Sequence, residues 1–203
     1  MSKNARPPQS THTISGSGDK SDSAIARSLA GMRVISGELG GRKLVTPQGL
    51  STRPTTDKVR QAVFNSLGSM GVLEGATVAD LYAGCGALGI EALSRGAESC
   101  VFVERDRAAL LALKTNLKDL GLESRSHVAA TDVMAYAPGI TGVDIAFVDP
   151  PYNFTNWDGL LQFLRAGLVV AESDHEIEPE AGWVTLRSKR YGRTVITTLE
   201  RLP

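Results

Sequence analysis

The run Asp80-Leu81-Tyr82-Ala83-Gly84-Cys85-Gly86-Ala87-Leu88-Gly89 decides how this chain folds. A short apolar stretch, "ATVADLY", leads into it, and "ALGIEALSRGA" follows with helical spacing until Gly96. Gly84, Gly86 and Gly89 therefore spell G-x-G-x-x-G between a strand and a helix. Glu104 lies twenty residues after Gly84, at the end of the next apolar run, "SCVFVERD". In this setting glycines let backbone approach a ligand, and the spaced acid accepts hydrogen bonds from ribose hydroxyls. A tight turn that merely needs glycine is the bland alternative. Strand, helix and acid together favour a nucleotide site.

Outward from that loop, strands and helices alternate. "RAALLALKTNLKDLG" is a helix closed by Gly121, "HVAATD" a third strand ending at Asp132, and "VDIAFVDPP" a fourth. "WDGLLQFLRAGLVVAE" gives a helix and a fifth strand, and "GWVTLRSKRYGRTVITTLERL" gives two long strands around Tyr191-Gly192. Strands separated by helices imply a parallel sheet covered on both faces. The predicted fold is α/β and Rossmann-like, a mostly parallel seven-stranded sheet with a C-terminal antiparallel hairpin over residues 71–203. Upstream, "MRVISGELGGRKLVTP" predicts a hairpin turning at Gly40-Gly41. "TRPTTDKVRQAVFNSL" predicts a helix capped by Thr55 or Thr56, with Val59, Val63 and Leu67 recurring every four residues and Phe64 beside them. These two form a small extension over residues 31–70. Residues 1–30 are rich in Ser, Thr, Gly and Pro and predict a disordered tail.

Composition narrows the class. A chain of 203 residues buries roughly 70% of its unfolded surface and needs no staple. Cys85 and Cys100 form no pairing pattern, and the three histidines are scattered, so no metal site is predicted and a reducing cytoplasm fits. No apolar run is long enough for a membrane span, and the N-terminus has no apolar signal-peptide core. The net charge of zero hides a segregation. Residues 1–60 hold ten Lys/Arg against four Asp/Glu, residues 61–180 seven against seventeen, and residues 181–203 five against one. Two basic ends around an acidic middle suit a polyanionic partner, though solvated surface charge explains the count equally well.

The acids choose among nucleotides. A dinucleotide enzyme needs a second mononucleotide half, and this chain ends soon after its fifth strand. S-adenosylmethionine has no pyrophosphate and needs carboxylates for its charged methionine part and its ribose. Asp80 is placed for the methionine part, Glu104 for the ribose and Asp132 for the adenine amine. Asp149-Pro150-Pro151-Tyr152 ends the fourth strand at the same edge. An exocyclic amine on a nucleobase is a poor nucleophile because its lone pair is delocalised into the ring. The Asp149 carboxylate and the Pro150 carbonyl can hold its N–H groups, prolines stiffen that pair, and Tyr152 offers a face for an unstacked base. A stiff turn after a strand is the plain alternative, and the glycine loop upstream weighs against it.

"RVISGELGGRKL", "TRPTTDKVRQAVFNSL", "DLYAGCGALGIEALSRGA", "FVERD", "FVDPPY" and "RSKRYGRT" stand in this order over residues 32–201. The series resembles the bacterial 16S rRNA (guanine-966-N2)-methyltransferase family. The resemblance implies an S-adenosylmethionine-dependent enzyme that methylates a guanine of 16S rRNA in the small ribosomal subunit or its precursor. It implies Asp149, Pro150 and Tyr152 as the catalytic group, with Pro151 in support. Asp80, Gly84, Gly86, Glu104 and Asp132 become cofactor residues, and Arg53, Pro54, Thr55 and Arg60 a substrate-facing lip. A monomer without metal is expected. Cys85 stands where a serine is expected in the loop. D-P-P-Y also suits N6-adenine methylation of DNA or RNA, and an oxidoreductase or a non-catalytic assembly factor are further alternatives. About thirty ordered residues before the first helix are few for reading DNA base edges, whereas a ribosomal particle presents its RNA by shape.

Overall fold

The computed structural model describes Met1 and residues 31–47, 56–179 and 182–203. The tail expected over residues 1–30 therefore lies, beyond Met1, outside the described residues, as do Arg53, Pro54 and Thr55. Chain order is α1 (Asp57–Met70), β1 (Thr77–Leu81), α2 (Ala87–Ser94), β2 (Ser99–Glu104), α3 (Arg107–Leu120), β3 (Ser126–Ala130) and α4 (Val133–Tyr136). There follow β4 (Val143–Val148), α5 (Trp157–Phe163), β5 (Ala166–Ser173), β6 (Trp183–Tyr191) and β7 (Thr194–Arg201). The strands form one sheet in the order β3-β2-β1-β4-β5-β7-β6. β1 to β5 pair in parallel, and β7 runs antiparallel to both β5 and β6. The expected mixed seven-stranded sheet is present.

Local chemistry sets the boundaries. Thr56 caps α1 by accepting from the Val59 N–H, and Gly71 ends the helix at φ 70°. Asp106 caps α3 through Ala109, and Gly121 closes it at φ 69°. The central strands are apolar on both sides because helices cover both faces. Val78, Phe102, Ile145, Phe147 and Val170 pack toward α1, α2 and α3, while Ala79, Leu81, Val103, Ala146 and Val148 belong to the opposite core with α5. Phe64 of α1 meets Phe147 of β4 at a centroid distance of 5.4 Å. The extension expected over 31–70 and the domain expected over 71–203 share this core, and residues 31–203 form one compact unit.

The expected hairpin is present as a short antiparallel pair: Arg33 bridges Lys43, Val34 N–H donates to the Arg42 carbonyl, Gly41 N–H to the Val34 carbonyl and Leu44 N–H to the Met32 carbonyl. Its remaining backbone groups are taken by side chains of α2 and α3. Glu91, fully buried, accepts from the Ile35 N–H at 2.7 Å and the Ser36 N–H at 3.1 Å, and pairs with Arg95 at 2.6 Å. The Ser94 hydroxyl accepts from Leu39 N–H and donates to the Ser36 carbonyl. Asn116 accepts from the Val45 N–H and donates to the Val45 and Cys85 carbonyls. Residues 32–45 are thus a strap tied to the helices, and Asn116 joins it to the glycine loop. Removing one partner of a buried charged network leaves the others uncompensated, at about 3–5 kcal/mol. Glu91→Ala should lower the unfolding free energy by about that amount in urea denaturation. A loss below about 1 kcal/mol would mean the strap is held by other contacts.

Candidate active site

Strand order reverses between β1 and β4, and in open α/β sheets ligands sit outside the carboxyl ends of the strands at such a reversal. Carboxylates gather at this edge for a reason of register. Successive strand residues alternate faces, so every second residue shares one side. Val78-Asp80, Phe102-Glu104, Phe147-Asp149 and Val170-Glu172 each continue the series facing α1 to α3. Asp80 pairs in register with Phe102 and Phe147, placing β2 and β4 on either side of it.

The acids differ in what they hold. Asp80 is 1% exposed and accepts from the Gly89 N–H at 2.8 Å, tying β1 to the first turn of α2. Burial pushes its carboxyl well above the usual range, and the charges of Asp149 and Glu104 add to this against the Gly89 hydrogen bond. Glu104 accepts from the Gly84 N–H at 2.8 Å through one oxygen and from the Arg105 and Asp106 N–H groups through the other. It shapes the glycine loop directly. Asp132 caps α4 through Met134 and pairs with Arg105 at 2.7 Å on the surface.

The glycines divide the labour. A Cβ on Gly89 would lie 2.3 Å from Phe102 Cε1, and one on Gly86 2.5 Å from Leu113 Cδ1, so both serve close helix–sheet packing. A Cβ on Gly84, at φ 57°, would meet nothing within 4 Å. That backbone is open to a ligand. Cys85 is buried and donates to Met32 Sδ, and burial raises its thiol to about 11, so it stays protonated and fills space.

Asp149, Pro150, Pro151 and Tyr152 leave β4 and line a cleft with Phe154, Trp157 and Glu172 to His175. Asp149 N–H donates to the Leu81 carbonyl, holding the segment against β1. Phe154 bridges Tyr82 and Trp157 in edge-on contacts at 5.7 and 5.2 Å, which fixes the far side of the segment. Tyr152 is 55% exposed. One expectation needs correction. Arg60, placed by its motif at the lip, is fully buried, with Nη2 donating to the Arg33 carbonyl and to Asp57 at 3.0 Å. In this position it braces the strap from within. Its Nε and Nη1 have no partner among the described residues.

Three residues of this edge escaped the sequence reading. Glu172 is 8% exposed and lines the cleft with Asp149. It ends an apolar run as Asp80 does, so the same pattern could have found it. Asn116 falls on the buried stripe of α3 with Ala109, Ala112 and Leu113, where a polar residue is itself a signal. Tyr82 has φ 64°, rare for a bulky residue and costly by about 1–3 kcal/mol. No spacing announces that. Its hydroxyl is pushed up to about 12, chiefly by burial and then by the Asp132 charge.

Three substitutions test this arrangement. An acid whose folded pKa exceeds its unfolded value of about 3.9 favours folding while protonated, and this contribution fades as pH rises through the folded pKa. Asp80→Asn retains an acceptor for Gly89 and removes the titration. Its thermal midpoint should vary less with pH above about 4 than that of the wild type, and be equal or higher at neutral pH. An unchanged pH profile would exclude Asp80 as a source of that dependence. Gly89→Ala should cost about 1–3 kcal/mol by overpacking. Gly84→Ala, strained by the left-handed φ, should cost about 1–2 kcal/mol, yet weaken S-adenosylhomocysteine binding in calorimetry at least tenfold. Equal cofactor affinity in Gly84→Ala and wild type would remove Gly84 from the ligand surface.

Comparison with known proteins agrees with this geometry. Residues 32–200 match the family described as "Conserved hypothetical protein 95". "Putative rRNA methyltransferase YlbH" of Bacillus subtilis is 42% identical over 184 residues, covering 84% of this chain and 99% of that protein. "Ribosomal RNA small subunit methyltransferase D" of Escherichia coli K12 is 41% identical over 122 residues, covering 60% of this chain and 61% of that one. A solved structure, "Putative methyltransferase yhhF from Escherichia coli", superposes with a TM-score of 0.75 at 34% identity. It covers 84% of this chain and 97% of its own. The chain belongs to the "Conserved hypothetical protein 95" family, that of the ribosomal RNA small subunit methyltransferase D proteins expected from its motifs.

Proposed function

We propose that this protein transfers a methyl group from S-adenosylmethionine to the exocyclic N2 of guanine 966 of 16S rRNA, in the small ribosomal subunit or its precursor. The observation that carries the reading is the placement of Asp149-Pro150-Pro151-Tyr152 beside β1, at the break where the glycine loop also opens. The family and the names of its relatives support rRNA as the substrate class.

The residues present fit the cofactor. Gly84 leaves backbone open, and the groups around it are carboxylates, which suit ammonium, sulfonium and ribose hydroxyls. Gly84 and Glu104 would hold it, with Asp80 bracing the loop from beneath through Gly89, Gly86 shaping the loop and Asp132 near the adenine. When bound, it supplies an electrophilic methyl carbon. The chain itself positions the amine. Asp149 and the Pro150 carbonyl accept its N–H groups and draw the nitrogen toward tetrahedral geometry, and the carboxylate offsets the positive charge that grows on it. Tyr152, exposed beside them, stacks on the extruded base, worth on the order of 1–3 kcal/mol against the cost of unstacking.

The alternatives fit less well. A dinucleotide oxidoreductase continues its parallel sheet through a second half, whereas this sheet turns antiparallel after β5. Adenine methylation would use the same acceptors, and the names of the relatives weigh against it. Asp149→Ala should reduce single-turnover transfer to unmodified small subunits by about 10²–10³ or more, with S-adenosylmethionine affinity within a few-fold. An unimpaired rate would rule out the amine-positioning role.

A further inference from the structure

A second depression lies on the sheet face covered by α1. It runs between Ala62 and Ser66 of α1 and Arg187, Lys189 and Tyr191 of β6, with Thr198 of β7 on its floor. Among the described residues no carboxylate lines it. The cleft at Asp149 has the opposite character, with Asp149, Glu172 and Asp174 on its wall. The two abut, because Ile196 lines the groove and pairs in register with Glu172 of the cleft.

A β-bulge gives the groove its charge. Thr185 pairs with Leu199, but the next partner of Thr198 is Arg187, so Leu186 is the extra residue. A one-residue shift exchanges the faces of every side chain beyond it. Without the bulge, Leu186, Ser188 and Arg190 would face the groove. With it, Arg187, Lys189 and Tyr191 do. Arg187 donates to Ser66 Oγ at 3.4 Å, and Lys189 Nζ lies 5.2 Å from the Tyr191 ring centroid. Lys58, exposed, continues the Ala62–Ser66 stripe one turn toward the N-terminus of α1.

We propose that this groove carries the phosphates of the RNA strand and leads the target nucleotide to the Asp149 cleft. The proposal rests on the RNA methyltransferase reading above. Basic residues on an edge strand can serve only to prevent sheet-to-sheet pairing. Placement favours the phosphate-carrying role. Arg187 and Lys189 line a groove shared with Ser66 of α1, beside the cleft, instead of fringing an open edge. Among the described residues they and Lys58 take part in no ion pair, as holds for most of the exposed Lys and Arg. Arg187 and Lys189 stand two residues apart, about 7 Å along the strand, comparable with the spacing of successive phosphates on one nucleic-acid strand. The division of labour is electrostatic. Phosphates are repelled by the carboxylates of the cleft and attracted by the groove, whereas an amine edge offering N–H donors is welcome among carboxylates.

The test uses the full chain and small subunits lacking the modification. Affinity is measured against salt concentration for wild type, for Arg187→Ala/Lys189→Ala, and for the charge-keeping pair Arg187→Lys/Lys189→Arg. The alanine pair should bind at least about tenfold more weakly at low salt, with a log–log salt slope shallower by about 1.4, the value for two contacts to a single strand. The charge-keeping pair should stay within a few-fold of wild type, and S-adenosylhomocysteine affinity and thermal midpoint should not change in either. An alanine pair with wild-type affinity and slope would overturn the groove alone, leaving transfer by the wild type to stand. A wild-type protein that neither binds the subunit nor transfers methyl would overturn the functional reading and the groove with it.

Discussion

The break between β1 and β4 is the constraint on which the rest depends. At that point the sheet stops winding in one direction and starts in the other, so the helices on either side diverge and leave the strand ends uncovered. Asp80 holds the break in shape from inside, its buried oxygen on the Gly89 N–H. Glu104 holds it from outside through Gly84. Between them the loop is fixed without any side chain of its own, which is why its outer glycine is free to face a ligand. A carboxyl group forced into the core at this point costs folding energy. Its retention beside the ligand surface is consistent with a role in function.

The same edge creates an electrostatic problem. Asp80, Glu104, Asp149 and Glu172 fall on one side of the sheet by register alone, and a nucleic acid is a polyanion. The sequence keeps its acids in the middle and many of its bases at the ends, and the fold sets β6, from the basic C-terminal end, across a groove from α1, whose first turn carries Lys58. Charges of opposite sign therefore sit side by side along β5 and β7. The strap over residues 32–45 joins this arrangement to the glycine loop through Asn116 and to α2 through Glu91. Among the described residues Arg60, buried beneath the strap, leaves Nε and Nη1 without a partner, and Arg95 leaves Nη2 so.

Much of this was legible in the sequence, because strand and helix periods, caps and glycine stops are local. Thr56, Gly121 and the turn after Tyr191 fall where the sequence places them. What was not legible depends on contacts distant in the chain. That Glu91, Ser94 and Asn116 strap the hairpin to the helices has no local signal. Arg60 reads as a surface residue at a helix start, and only the packing of α1 under residues 32–45 buries it. The positive φ of Tyr82 and the bulge at Leu186 are backbone events with no residue signature, and the second decides which side chains line the groove. Glu172 belonged to a pattern already noted at three strands and was passed over.

The most direct measurement is the identity of the product. Labelled methyl from S-adenosylmethionine is offered to small subunits lacking the modification, to the same rRNA without protein, and to duplex DNA, and the modified nucleosides are identified by mass spectrometry. The predicted product is N2-methylguanosine in a ribosomal acceptor, with no label in DNA. Methyladenine, label in DNA, or no transfer to any acceptor by protein that still binds S-adenosylhomocysteine would contradict guanine-N2 methylation of ribosomal RNA.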